Sequence, residues 1–358
     1  MGLASDTTIG TGIMGLGFSN SEANVFTGNG TEYANLPLAL VNAGLISTPA
    51  YSLWLDDVHA STGSILFGGV DTTKYEGQLQ SIDLYPNKAR QNITSFTVAF
   101  TSLSATSSTG TDVLTPPDFA QPAILDSGTT LTLLPDQLAE LVFAELGATN
   151  DERLGAVLVP CTLANNTGML NYGFGGPGGP QIRIPMSELV LPLTLSSGGS
   201  AVFDDGTPAC QLGIQAAGNL PTLFGDTFLR SAYVVYDLDN QRIGMAQTDF
   251  DASGENIVEF ASRGADIPDA VTATASVDIG SETETGSPRG TGESGGETPV
   301  GSGDPGSQGS PTSTGLSAAS GFAESKGGRV EPFRWNTAVG VVCWSVLMVI
   351  GGGTVRWA

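Results

Sequence analysis

Residues 123–135, Ala-Ile-Leu-Asp-Ser-Gly-Thr-Thr-Leu-Thr-Leu-Leu-Pro, hold the side chains best arranged for chemistry in this sequence. An apolar run, Ala123-Ile124-Leu125, delivers one carboxylate, Asp126, into a tight turn built on Ser127 and Gly128. A carboxylate flanked by buried apolar residues needs hydrogen-bond partners, because an unpaired buried charge is costly. The hydroxyls of Ser127 and Thr129 and the backbone N–H groups around Gly128 are placed to supply them. Two readings are open at this level. Asp126 either satisfies the turn between a strand and a helix, or it is an acid held ready for proton transfer. The full pattern, with Thr129, Thr130 and the Leu133-Leu134-Pro135 exit, favours the second.

Composition narrows the chemistry. The 358 residues include 13 basic and 36 acidic side chains, a formal charge of −23 that would repel nucleic acid. Such a surface suits an acidic medium, where Asp and Glu approach pKa values of about 4 and self-repulsion falls; it also suits solubility alone. The three cysteines, Cys161, Cys210 and Cys343, form no Cys-x-x-Cys motif, and the only histidine, His59, lies in a polar stretch after Asp56-Asp57. A zinc site, a Ser-His-Asp triad and a Cys-His dyad therefore find little support.

The elements that must carry Asp126 are mostly short strands. With 49 glycines, 20 prolines and 14% charged residues, the chain is turn-rich. Strands are expected at 51–55, 63–69, 78–84, 94–103, 153–159, 181–185, 189–195, 210–215, 232–238 and 242–246. A short helix is expected at 36–45. A second follows Pro135, with Leu138, Leu141, Val142 and Leu146 at helical spacing and Gly147 closing it. A helical turn is expected at 226–231.

From about residue 264 to 328 the composition shifts to Ser, Gly, Thr, Pro and Glu, which offers too little apolar surface to offset ordering entropy. Residues 335–355 then run without a charge between Arg334 and Arg356. That segment reads as a transmembrane span or as a glycosylphosphatidylinositol (GPI) attachment signal, with small residues, a polar spacer and an apolar tail; the signal is favoured. Either places the globular part outside the cell. Asn29, Asn92 and Asn165 each begin an N-glycosylation acceptor motif, and an oxidising compartment would permit a Cys161–Cys210 disulfide.

These residues resemble the pepsin-like aspartic proteases, and the Asp-Ser-Gly-Thr-Thr form resembles their fungal secreted and cell-surface members. Ala123 to Pro135 resembles the family's second active-site signature. Residues 64–71, Ser-Ile-Leu-Phe-Gly-Gly-Val-Asp, with Tyr75 and Gly77, resemble the segment joining the two lobes. Leu223-Phe224-Gly225-Asp226-Thr227-Phe228-Leu229-Arg230 and residues 233–244 resemble the closing strands, and Cys161 and Cys210 sit where the second lobe's disulfide would be. The similarity covers about residues 12–250, and the tail resembles the yapsin-like, GPI-anchored branch. The resemblance implies a mostly β, bilobal fold and hydrolysis of peptide or protein substrates by a monomer without metal or cofactor. It implies that Asp126 is catalytic, that Ser127 reaches across the lobe interface, and that Gly128, Thr129 and Thr130 line the cleft.

The family pairs each Asp-Thr/Ser-Gly turn with a later apolar-apolar-Gly strand. The second lobe has both parts, Asp126-Ser127-Gly128 and Leu223-Phe224-Gly225, 97 residues apart from Asp126 to Leu223. For the first lobe only Ile13-Met14-Gly15 is present. None of Asp112, Asp118, Asp136, Asp205, Asp237 or Asp239 precedes a Ser/Thr-Gly, and Asp226-Thr227 runs into Phe228. The first catalytic Asp and the flap tyrosine are expected to lie before Met1, in a longer parent. The expected organisation is a remnant N-terminal lobe with interlobe strands at 1–100, a complete catalytic lobe at 101–250, a disordered stalk at 251–334 and a hydrophobic segment at 335–358. The chain is expected to be inactive alone. The alternative is a non-catalytic cell-surface glycoprotein that retains the fold.

Overall fold

The three apolar residues ahead of Asp126 lie in the strand Gln121–Leu125, where Ala123 and Leu125 enter the core and Ile124 is half-buried. This is the alternation a strand requires. A computed structural model describes residues 13–26, 30–87, 91–195, 198–273, 277–279 and 318–322. The protein is mostly β, as the turn-rich composition implied.

Gln121–Leu125 pairs antiparallel with the long strand Thr97–Ser107 and, on its other edge, parallel with Leu223–Phe224. Leu223–Phe224 is antiparallel to Thr132–Leu134, so this two-residue strand lies between the entry and exit of the Asp126 turn. Ile214–Ala216 extends the sheet beyond Thr132–Leu134, and Met169–Phe174 and Gln181–Pro185 extend it beyond Thr97–Ser107. The hairpin partner Gly110–Val113 completes it.

Behind this sheet, Phe100, Tyr172, Phe174, Phe224 and Phe228 form a ring cluster, with Phe224 and Phe228 centroids 4.6 Å apart. Each ring is fully buried, a contribution of roughly 2–3 kcal/mol apiece. The cluster fixes the two-residue strand from below. The strand Met169–Phe174 is absent from the sequence expectations because Asn171 and Gly173 interrupt its apolar pattern, yet it carries two of the five rings.

The helix Asp136–Leu146 begins after Pro135 and ends at Gly147, whose φ of 61° closes it. Leu138, Ala139, Val142, Phe143 and Leu146 are buried; Leu141, expected inside, is 44% exposed, and Phe143 takes its place. Two other expectations change. Residues 186–189 are helical and only Val190–Leu191 of the expected strand 189–195 is a named strand, because Val190 leaves a helical turn directly. Residues 251–273 and 277–279, placed in the expected disordered stalk, include Ile257–Glu259 against Gly69–Asp71 and Ala270–Thr272 against Tyr75–Asp83. Phe260, Ile267 and Ile279 are buried there, so three apolar side chains hold a segment that is otherwise polar.

A second sheet runs Ser64–Phe67, Ala50–Trp54, Ala232–Asp237, Arg242–Thr248, Tyr75–Asp83 and Ala270–Thr272. It interleaves strands from before residue 100 with strands after residue 230. Cys161 and Cys210 form a disulfide with Cα atoms 4.9 Å apart. It joins the end of Ala156–Pro160 to its neighbour Ala209–Leu212. Ile13-Met14-Gly15 forms no strand: Ile13 and Met14 are 60% and 55% exposed, whereas Leu223 and Phe224 are fully buried. An apolar pair becomes a strand where it lies between two others, and among the described residues none flanks 13–15. Asn92 and Asn165 are exposed; Asn29, most of the stalk and residues 335–358 lie outside the described residues.

Glu145, on the helix, is 1% exposed, with the Asp112 carboxyl beside it. Burial, and after it the neighbouring Asp112, push its carboxyl up to about 7. A raised carboxyl pKa favours the protonated fold, so its stability contribution is full below the unfolded pKa of about 4.3 and is lost as pH rises through about 7. We expect Glu145→Gln to remove roughly 3 kcal/mol of the fall in unfolding free energy between pH 4 and pH 8. Urea unfolding of both proteins at the two pH values measures it; parallel pH profiles would contradict it.

Candidate active site

The Asp126 turn is held from within and from behind. Its Oδ1 accepts the Gly128 N–H at 2.9 Å, and its Oδ2 accepts the Thr129 hydroxyl at 2.7 Å. The Thr129 N–H donates to the Asp126 carbonyl at 3.1 Å, and the Asp126 N–H donates to the Phe224 carbonyl at 3.0 Å. Both carboxylate oxygens are therefore oriented, while Asp126 itself stays partly exposed.

The backing comes from Gly225-Asp226-Thr227. The Asp226 N–H donates to the Thr129 carbonyl at 2.8 Å, and the Thr227 N–H to the Thr130 carbonyl at 3.1 Å. The approach requires glycine at 225: a Cβ there would lie 2.2 Å from the Thr129 carbonyl oxygen. Thr227 then ties the exit strand down, its hydroxyl donating to the Gly213 carbonyl at 2.8 Å and lying 3.1 Å from the Thr132 hydroxyl.

Of the sequence-predicted site residues, Asp126, Gly128 and Thr129 are brought into one hydrogen-bonded turn. Thr129 is buried and Thr130 exposed. Ser127 is exposed, and its hydroxyl has no hydrogen-bond partner among the described residues.

Sequence reasoning set Asp226 aside for lacking a following glycine. In the structure it lies against the turn, where burial first, opposed by Arg230 and reinforced by Asp126, raises its carboxyl to about 6. Arg230 is itself engaged: its Nε donates to Glu188 at 2.6 Å and its Nη2 to the Glu188 carbonyl at 2.6 Å. Glu188 also accepts the Val58 N–H at 3.2 Å, joining three distant segments at one carboxylate. On the other side, Tyr51 and Tyr236 stack at 4.7 Å, with Phe96 edge-on to Tyr236 at 4.6 Å. Burial raises both phenols, and the Asp126 charge adds to it. The signal for Asp226 in the sequence was its setting, Phe-Gly-Asp-Thr-Phe-Leu, which leaves an acid little water.

Residues 4–248 match the family model for eukaryotic aspartyl proteases. The chain belongs to that family. It is 40% identical over 274 residues to the "Probable aspartic-type endopeptidase OPSB" of Arthroderma benhamiae, covering 76% of this chain and 54% of the relative. To "Aspartic proteinase yapsin-3" of Saccharomyces cerevisiae it is 35% identical over 281 residues, covering 76% and 51%. The chain thus spans about half the length of the curated relatives it matches. Its fold matches the crystal structure of the aspartic proteinase from Irpex lacteus with a TM-score of 0.54, at 24% identity, over 70% of this chain and 72% of that one.

Within this family member, the Gly225 contact gives a direct test of the site. We expect Gly225→Ala to cost at least about 3 kcal/mol, since a methyl group would displace backbone rather than a side chain. Chemical denaturation checks this; a loss below about 1 kcal/mol would show that the turn and the strand are not locked together.

Proposed function

We propose that the chain supplies one half of an acid endopeptidase, with Asp126 as one of two carboxylates that share a proton. The observation that carries this is the Asp126 turn: both oxygens are oriented by hydrogen bonds, yet the residue keeps a face to solvent. Two adjacent carboxylates cannot both ionise, so one holds the proton. The ionised member takes a proton from a bound water, which attacks the scissile carbonyl. The protonated member donates to the carbonyl oxygen, and the roles reverse as the amine leaves. Gly128, Thr129 and Thr130 border the turn where an extended peptide would hydrogen-bond. The substrates are peptides or proteins, and the full-length enzyme acts as a monomer.

The 358 residues contain one Asp-Ser/Thr-Gly motif, so this chain is inactive alone and its full-length parent is active. We expect no cleavage of an acidic peptide substrate by purified 1–358 at pH 4. The parent read from the upstream transcript should cleave it, and Asp126→Asn should lower that activity at least about a hundredfold. Cleavage by 1–358 that Asp126→Asn abolishes would overturn the first claim. A parent unaffected by the substitution would overturn the second. A non-catalytic surface glycoprotein is the competing reading, favoured by the unpartnered Ser127 hydroxyl; an inactive parent that reaches the surface would establish it.

The apolar stretch 335–355 and the acceptor sites Asn29, Asn92 and Asn165 support display at the cell surface through a GPI anchor. Among the described residues no helix is long and apolar enough to cross a membrane. We expect phosphatidylinositol-specific phospholipase to release the protein from intact cells. Retention after treatment would favour a membrane span instead.

A further inference from the structure

The five residues Ala318–Phe322 lie against the catalytic lobe, although residues 280–317 separate them from the preceding described segment. Ala318 is fully buried and Phe322 is 3% exposed, and both join the main core cluster. The contacts are polar as well as apolar. The Ala318 N–H donates to Asp112 Oδ2 at 2.6 Å, and its carbonyl accepts the Ser107 hydroxyl at 2.7 Å. The Ser320 hydroxyl donates to Thr109 at 3.0 Å. The Gly321 carbonyl accepts the Asn166 amide at 2.8 Å, and Asn166 is held in turn by the Gly168 N–H at 2.8 Å.

Two glycines make the fit possible, one on each side. A Cβ at Gly168 would lie 2.2 Å from the Phe322 ring, and a Cβ at Gly321 would lie 2.2 Å from the Ser107 hydroxyl. The seat and the segment thus match in shape, hydrogen bonding and apolar burial. A chance contact of a polar tail would show none of the three together.

We propose that the surface formed by the hairpin around Ser107–Asp112, the loop at Asn166–Gly168 and the helix Asp136–Leu146 is a seat for the chain's own tail segment Ala318–Phe322. The occupant is intramolecular, and Phe322 is its anchor. Docking takes residues 280–317 out of the path between the lobe and the apolar segment at 335. The connecting chain shortens from the 55 residues 280–334 to the 12 residues 323–334. Because the span of a flexible linker grows with the square root of its length, the lobe is held close to the membrane attachment that follows residue 322, be it a lipid anchor or a span.

The contact between Ser320 and Thr109 allows a direct test in the full chain, solubilised in mild detergent and carrying Cys343→Ser. With Thr109→Cys and Ser320→Cys, mild oxidation is expected to form an intrachain disulfide in most molecules. A control pair, Ser320→Cys with the exposed Ser253→Cys, is expected to form at least about tenfold less, as is the first pair after Phe322→Ser. Phe322→Ser leaves the lobe's own chain intact, and an unchanged Cys161–Cys210 bond confirms that the lobe is folded. No disulfide in the first pair, or one as frequent with Phe322→Ser, would overturn the proposal. A disulfide between two chains would assign the seat to a second copy and overturn it equally.

Discussion

The structure depends on one backbone crossing. Gly225 passes so close to the Thr129 carbonyl that no side chain fits between them, and this lets the buried pair Leu223–Phe224 lie between the two legs of the Asp126 turn. From that crossing follow the hydrogen bonds to the Thr129 and Thr130 carbonyls, the orientation of the Asp126 carboxylate and the position of Thr227 over the exit strand. The ring cluster beneath is the apolar counterweight: Phe224 contributes its backbone to the sheet and its ring to the core. A carboxylate in a turn is ordinary. A carboxylate in a turn that another strand threads is constrained at both ends, which is the preorganisation proton transfer requires.

The two halves of the family motif behave differently here, and the contrast is physical. Leu223 and Phe224 have neighbours on both sides and are fully buried; Ile13 and Met14 have none among the described residues and are largely exposed. The same apolar-apolar-Gly pattern is therefore a strand in one place and no strand in the other. Pattern supplies the propensity, and the flanking strands supply the structure.

Much of the fold was legible because its signals are local. Ala123-Ile124-Leu125 is an apolar run ahead of a turn, Gly147 closes a helix, residues 232–236 are a continuous apolar run, and 242–248 carries Ile243, Met245 and Ala246. What escaped was set by distance. Met169–Phe174 looks broken by Asn171 and Gly173 until two strands cover it. Residues 251–279 look like stalk until Phe260 and Ile267 find the core. At the site, the Asp126–Thr129 hydrogen bond was readable from spacing, three residues on one turn. Asp226 was not, since its relation to Asp126 exists only once the chain has crossed itself. The missing partner for Ser127 has the same character, a contact that no local pattern decides.

The crossing also sets an order in time. Residues 97–134 can form their hairpins as soon as they leave the ribosome, but the space between 125 and 132 stays open until residue 225 has been made. Closing so long a loop is slow, because its entropy is lost before the contacts compensate. Through that interval the Asp126 carboxylate lacks its backing, and the second leg of its turn has no partner to hold it. The turn therefore cannot be closed until late in synthesis, when Leu223 and Phe224 become available to enter it.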